Sequence, residues 1–448
     1  MSGFTPHTDA EVGAMLASLG LSSTEELFAL VPEALRLVGG LDVEPGLAEA
    51  DVLARIDELA DANRALGERL VCFAGGGSYD HDVPSVVPAL AMRSEFVTAY
   101  TPYQAEVAQG VLQALFEYQT LVCRLTGMDV ANASLYDGAS ACVEAVNLGL
   151  AATGRARAWV SAGVHPHIRQ VLATLAAGTG HEVVDVALAG GLTAWPVATD
   201  GTEMEAPPGV LLVGYPNYLG CIEDLRAAVA AAQRHGALVV VVADPVALGL
   251  LRSPGELGAD VVVAEGQPFG MAPAFGGPYL GLFGCRRGHV RRLPGRLVGE
   301  TLDANGRRAY VTTLRTREQD IRRERASSNV CTNQTLMAVA FLVHLAWLGT
   351  AGLRELALRC AQGTHYARRA LLELPGVEPL VSAPVLREFA LRLPSPPGVV
   401  VDRMAEEGFL AGIPLSAPYG EGLLVAVTER RTRREIDAYV QAMARVLK

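Results

Sequence analysis

Four groups of residues in this 448-residue chain have the types and spacing to do chemistry. Asp137-Gly-Ala-Ser-Ala141 lies between a short apolar segment and a helix start. Backbone N–H groups and the helix dipole favour an anion there, and Ser140 can add a hydroxyl; Asp137 can equally be a plain helix cap. His165 follows the strand expected to end at Ser161, where its ring could stack on a flat ligand; His165-Pro-His167 is also an ordinary polar helix start. Asp244 closes the run Leu238–Ala243, apolar at every position. Its carboxylate could pair with a cationic ring nitrogen or begin a turn. Glu265-Gly-Gln267 follows the next apolar run, 261–264, and leads to the glycine-rich Phe275-Gly-Gly-Pro278.

These groups need strands and helices to position them. Runs apolar at every position suit strands buried on both faces of a parallel sheet. Strands are predicted at 158–161, 182–186, 210–213, 238–243, 261–264 and 279–283, with helices at 138–152, 165–177 and 221–235. The alternation implies a parallel-rich α/β sheet. An anion loop, a stacking ring, a strand-end Asp and a turn after the next strand follow the chain order of pyridoxal-phosphate enzymes of fold type I, the aspartate-aminotransferase-like fold. In that fold a lysine after the last of these strands holds the cofactor covalently. Here the place reads Glu265-Gly266-Gln267, and the chain's only lysine is Lys448, its last residue. Arginine cannot substitute, because it stays protonated.

The expected domains are a helical N-terminal arm (1–72), a large α/β domain (73–330) and a small C-terminal α/β domain (331–448). In the arm, helices are predicted at 8–19, 25–30 and 47–66. The glycine-rich Phe73-Ala-Gly-Gly-Gly-Ser-Tyr-Asp-His-Asp-Val-Pro84 reads as a tight turn or a phosphate loop. A helix over 101–126 is so poor in charge that both its faces need burial, in a core or a subunit interface. Residues 286–325 hold twelve Arg against five acids, a local charge of +7 in a chain of −11. That stretch is either a solvated face or an anion- or partner-binding surface.

The overall acidity argues against nucleic acid as the main partner. No uninterrupted apolar run reaches the roughly 18–20 residues of a spanning helix, so no membrane role is expected. The first residues lack a signal-peptide pattern. The seven cysteines are scattered singly and fit reduced thiols. A cytoplasmic protein without a metal site is the expectation.

Several long segments carry a resemblance. They are 73–84, Glu95-Phe-Val-Thr-Ala-Tyr-Thr-Pro-Tyr-Gln-Ala-Glu106, 125–138, Gly266-Gln-Pro-Phe-Gly270, Phe275-Gly-Gly-Pro-Tyr279 and 317–333. Together they resemble the P-protein of the glycine cleavage system, a pyridoxal-phosphate glycine decarboxylase, over nearly the whole chain. That family occurs as one long chain of two related halves or as two subunits. This sequence is similar to the N-terminal half, the subunit without the lysine. One departure is Arg325, where the family usually has Lys.

The resemblance implies a heteromeric enzyme, a heterotetramer, inactive from this chain alone. A lysine-bearing partner subunit would hold pyridoxal phosphate covalently and decarboxylate the substrate glycine. The aminomethyl group would pass to the lipoyl arm of H-protein. Tyr100, Tyr103 and Glu106 of this chain would face the partner's site. Ser327, Ser328 and Asn329 would bind the partner's cofactor phosphate, and His165 and Asp244 would be relics of a vestigial site. Two other readings stay open: a decarboxylase acting alone, which the single C-terminal lysine disfavours, and a non-catalytic regulatory or binding protein on a decayed enzyme fold.

Overall fold

The computed structural model describes residues 6–37, 40–67, 69–97, 104–196 and 206–448. The chain divides into two compact units, Met1–Arg64 and Ala65–Lys448. In the first, Thr8 caps the helix Asp9–Ser18 through a complete capping box with Glu11. The predicted helix at 25–30 is instead a 3-10 turn, Thr24–Phe28, because Glu26 reaches back to the Ser22 N–H at 3.0 Å. Helix Glu49–Asp61 follows. None of the described residues of this unit is buried.

The second unit is built on a seven-stranded sheet. Its order is Val130–Ala131, Gly281–Cys285, Val261–Glu265, Leu238–Ala243, Val210–Tyr215, Arg157–Ser161 and Glu182–Val186. The last five run parallel, and Gly281–Cys285 is antiparallel to both its neighbours. The side-chain period of two splits the core. Leu212, Val240 and Val263 face helix Gly138–Thr153, with Val146 and Leu150. Leu211, Val213, Val239 and Val241 face helix Leu225–His235, with Ala228 and Ala232. Both sides being covered is why these strands are apolar throughout. The last strand starts at Gly281 rather than 279, because the Leu280 N–H is taken by the Glu265 side chain at 2.9 Å.

A smaller antiparallel sheet, Glu378–Pro379, Glu388–Arg392, Gly422–Ala426 and Ile413–Leu415, packs on helices Pro397–Glu406 and Arg433–Val446. Phe73 is fully buried in that core and stacks on Tyr439 at 4.0 Å, anchoring the start of the glycine-rich loop. Gly76 and Gly77 in the loop have φ of 65° and 103°, so it is a tight turn. Helix Thr335–Leu371 is long and apolar enough, by length and composition, to cross a membrane. Its Ala338, Val339, Phe341 and Leu345 are buried in the protein core, and Gly349 breaks it.

The charge-poor helix is Gln109–Thr126; residues 104–108 form a turn, and 101–103 lie outside the described residues. Its uncharged face meets a hairpin the sequence pattern did not reveal, Val298–Leu302 with Arg308–Thr312. Gln119 accepts from the Val298 N–H at 2.9 Å and donates to the Val298 carbonyl at 3.0 Å. Gln109 does the same to Tyr310, at 2.9 and 2.8 Å. Each amide completes a strand edge as another strand would, so this chain itself covers much of the face that suggested an interface.

Candidate functional site

The parallel strands end around a cavity, as expected of an open α/β sheet. Asp244 follows Leu238–Ala243, Asn217 follows Val210–Tyr215, and His165 follows Arg157–Ser161. Tyr79 from the glycine-rich loop and Arg387 and Glu388 from the small sheet close it. The sequence places His165 and Asp244 here, and the structure brings them to this one cavity.

Arg387 dominates the site. It is buried, and its Nε donates to Asp244, the residue expected to meet a ring nitrogen. Its Nη1 lies 2.8 Å from His81 Nε2, and the guanidinium stacks 3.5 Å above the Tyr79 ring. Burial works against the Arg387 charge, but the Asp244 carboxylate, Tyr79 and Glu388 more than offset it and raise its pKa. Since Arg387 can only donate, His81 Nε2 accepts and Nδ1 carries the proton, which points at Glu429 Oε2 at 2.6 Å. Burial opposes the Glu429 charge, but the hydrogen bonds it accepts from His81 and the Asp82 N–H lower its pKa. Cys360 joins His81 and Glu429 in a cluster of metal-ligand type. The proton on Nδ1 and the adjacent guanidinium make it a hydrogen-bonded chain rather than a cation site.

Glu388 accepts from the Gly76 N–H at 2.7 Å and the Tyr79 hydroxyl at 2.8 Å, and burial raises its pKa. Gln267 clamps the Tyr79 backbone, accepting from its N–H at 2.9 Å and donating to its carbonyl at 3.0 Å. His165 is a helix cap. Its Nδ1 accepts from the His167 N–H at 3.1 Å, its Nε2 bonds the Gly76 carbonyl, and burial lowers its pKa.

Glu265 fills the anion seat. Its carboxylate accepts from the N–H groups of Gly138 at 2.9 Å, Gln267 at 3.0 Å and Leu280 at 2.9 Å. Gly138 opens a helix, so Glu265 stands where a phosphate would benefit from the dipole. Asp137 takes the Ser140 N–H at 2.7 Å. Burial pushes Glu265 up to about 7 despite its three donors.

Pyridoxal phosphate does not fit this site. A carboxylate occupies the phosphate place, a guanidinium occupies the ring-nitrogen partner, and no lysine is near. The remaining space is about 100 Å³, against roughly 300–1,000 Å³ for sites of drug-sized ligands.

The other candidate residues lie elsewhere. Ser327, Ser328 and Asn329 line a surface groove with Glu144, Arg155 and His181. The Ser328 hydroxyl accepts from the Val330 N–H at 3.1 Å and bonds Glu144, whose pKa burial raises. Glu106 is exposed in a second groove with Gln109, Arg307 and Arg308. Tyr100 and Tyr103 lie outside the described residues. Sequence reasoning missed Arg387, Glu388 and Tyr79. A charged Arg387-Glu388 pair at the head of the apolar Phe389-Ala-Leu391 was the available signal.

The fold and this cavity define the class, the fold type I scaffold of pyridoxal-phosphate enzymes, with side chains filling the place of the cofactor. A sphingosine-1-phosphate lyase of Burkholderia pseudomallei shares that fold, with a TM-score of 0.65 at 16% identity over 93% of this chain and 94% of that one. The chain belongs to the glycine cleavage system P-protein family, whose model matches residues 2–443. It is 48% identical over 447 residues to a probable glycine dehydrogenase (decarboxylating) subunit 1 of Moorella thermoacetica, covering 99% of each chain. Its identity to the same subunit of Chlorobaculum parvum is 46%, over 98% of this chain and 99% of that one. A crystal structure of glycine decarboxylase (P-protein) of the glycine cleavage system, in inhibitor-bound form, matches with a TM-score of 0.92 at 44% identity, covering 99% of this chain and 100% of the other.

Proposed function

We propose that this chain is the lysine-free subunit of a glycine decarboxylase of the glycine cleavage system, active only with a lysine-bearing second subunit. The observation that carries the reading is a P-protein fold along 99% of this chain whose cofactor seat is closed by Glu265 and Arg387. The second subunit holds pyridoxal phosphate covalently and decarboxylates glycine, and the aminomethyl group passes to the lipoyl arm of H-protein. This chain completes the partner's site from outside. Ser327, Ser328 and Asn329 offer hydroxyl and amide groups to the partner's cofactor phosphate. Tyr100, Tyr103 and Glu106 flank the path of glycine and the lipoyl arm. The assembly is a heterotetramer in the cytoplasm, and seven cysteines scattered singly along the chain, with no CxxC pair, support a reducing compartment.

Glycine–bicarbonate exchange tests the reading. It should require both chains, with a negligible rate from either alone. Borohydride reduction of this chain with excess pyridoxal phosphate should leave no phosphopyridoxyl group in its folded core. Exchange by this chain alone, or a labelled core residue, would refute the proposal.

A further inference from the structure

Within the unit Ala65–Lys448, residues 73–82 are bonded to both the small sheet and the seven-stranded sheet, like a strap. On the small-sheet side, the Phe73 carbonyl accepts from the Ala426 N–H at 2.8 Å. The Gly76 N–H and the Tyr79 hydroxyl both reach Glu388. Asp80 pairs with Arg431 at 3.1 Å, and its carbonyl accepts from the Thr428 hydroxyl at 2.8 Å. On the other side, Gln267 clamps the Tyr79 backbone and His165 bonds the Gly76 carbonyl. Arg387 and Asp244 join the two sheets directly. Behind these ties lies a shared apolar seam. Leu219 and Cys221, just past the strand Val210–Tyr215, pack with Ala383, Ala390, Leu415 and Leu424. The Ile222 N–H donates to the Pro384 carbonyl at 2.9 Å. A Cβ on Gly220 would stand 2.0 Å from the Glu388 carbonyl oxygen, so the seam has no slack.

Parts of a protein that close around a ligand use contacts to that ligand to stay shut, and hinge apart without it. We propose that residues 73–82 and the Arg387–Asp244 pair form a latch that holds this chain closed with no ligand. The contacts a ligand would make across the seam come from the chain's own side chains, so the two sheets move as one body. Each tie is small, and several in parallel make opening of the seam as rare as unfolding. The inference concerns this chain alone and stands whether or not the two-subunit reading holds.

Two native cysteines of the full-length chain read the latch. Cys221 is fully buried in the seam, and Cys142 is fully buried in a separate core under the large sheet. Iodoacetamide labelling, followed peptide by peptide in a mass spectrometer, reports seam opening at Cys221 and global unfolding at Cys142. In the unmodified chain Cys221 should be as well protected as Cys142. Asp244→Asn with Gln267→Ala cuts the direct pair and the clamp. The Cys221 rate should then rise about tenfold relative to Cys142, as expected for the loss of two buried hydrogen-bonded ties. Tyr79→Phe removes a single hydroxyl and keeps the ring over Arg387. It should raise the same ratio about threefold, and it carries the test if the double variant does not fold. Amide exchange over residues 73–82 should quicken in step with Cys221. A ratio unchanged in the folded variants would overturn the latch, whether both rates rise together or neither moves, because the ties would then add only to global stability. Ready labelling of Cys221 in the unmodified chain, with Cys142 protected, would also overturn it.

Discussion

Arg387 replaces a cofactor by a side chain, and the cost of removing it measures that role. Arg387→Met would leave the Asp244 carboxylate, only 14% exposed, without its cation. Breaking one side of such a pair costs about 3–5 kcal/mol. Urea unfolding should show this loss, and Arg387→Met combined with Asp244→Asn should recover more than half of it. Two buried carboxylates with opposed shifts, Glu429 and Glu265, give a pH signature. Glu429 is lowered when folded, so it contributes stability above its unfolded value near 4.5 that is lost as pH drops through its lower folded value. Glu429→Gln should flatten the acid limb of an unfolding-midpoint-against-pH curve. Glu265 rises to about 7, so its contribution is complete below 4.5 and is lost as pH climbs through 7. Replacing it by Gln should remove that neutral-range slope while lowering stability overall, because three backbone donors lose their carboxylate.

At the scale of elements, three glutamines act as single-residue strand edges. Gln109, Gln119 and Gln267 each hold the N–H and the carbonyl of one distant residue. Gln119→Ala would strand both buried groups of Val298, a loss of about 1–3 kcal/mol. Hydrogen exchange should report it as faster opening of the hairpin Val298–Leu302 with Arg308–Thr312, while the central sheet stays protected. These contacts also mark where sequence reading ends. The strands Leu238–Ala243 and Glu182–Val186 were legible because burial on both faces or a short β-rich run leaves a local pattern. The hairpin was not, since its residues 300–308 are polar and charged with no period of two. Asp244 and His165 could be placed from chain order. Arg387 could not, because it reaches Asp244 across 143 positions from the bend just before a strand of the small sheet.

For the whole molecule, the closed cavity sets an expectation about ligands. A ligand that binds only the folded state raises stability with its concentration. Adding about 1 mM pyridoxal phosphate should therefore leave this chain's melting temperature unchanged, whereas the same addition should stabilise a lysine-bearing partner. Opening the seat with Glu265→Ala and Arg387→Ala together should create a concentration-dependent shift where none existed. The filled seat also bears on supply. On the two-subunit proposal, a chain that balances its central charges with its own Glu265 and Arg387 should reach its folded state whether or not the cell can make or import vitamin B6. It should persist as a ready reserve through cofactor starvation, and the pace at which complete enzyme reappears on refeeding should be set by the other chain.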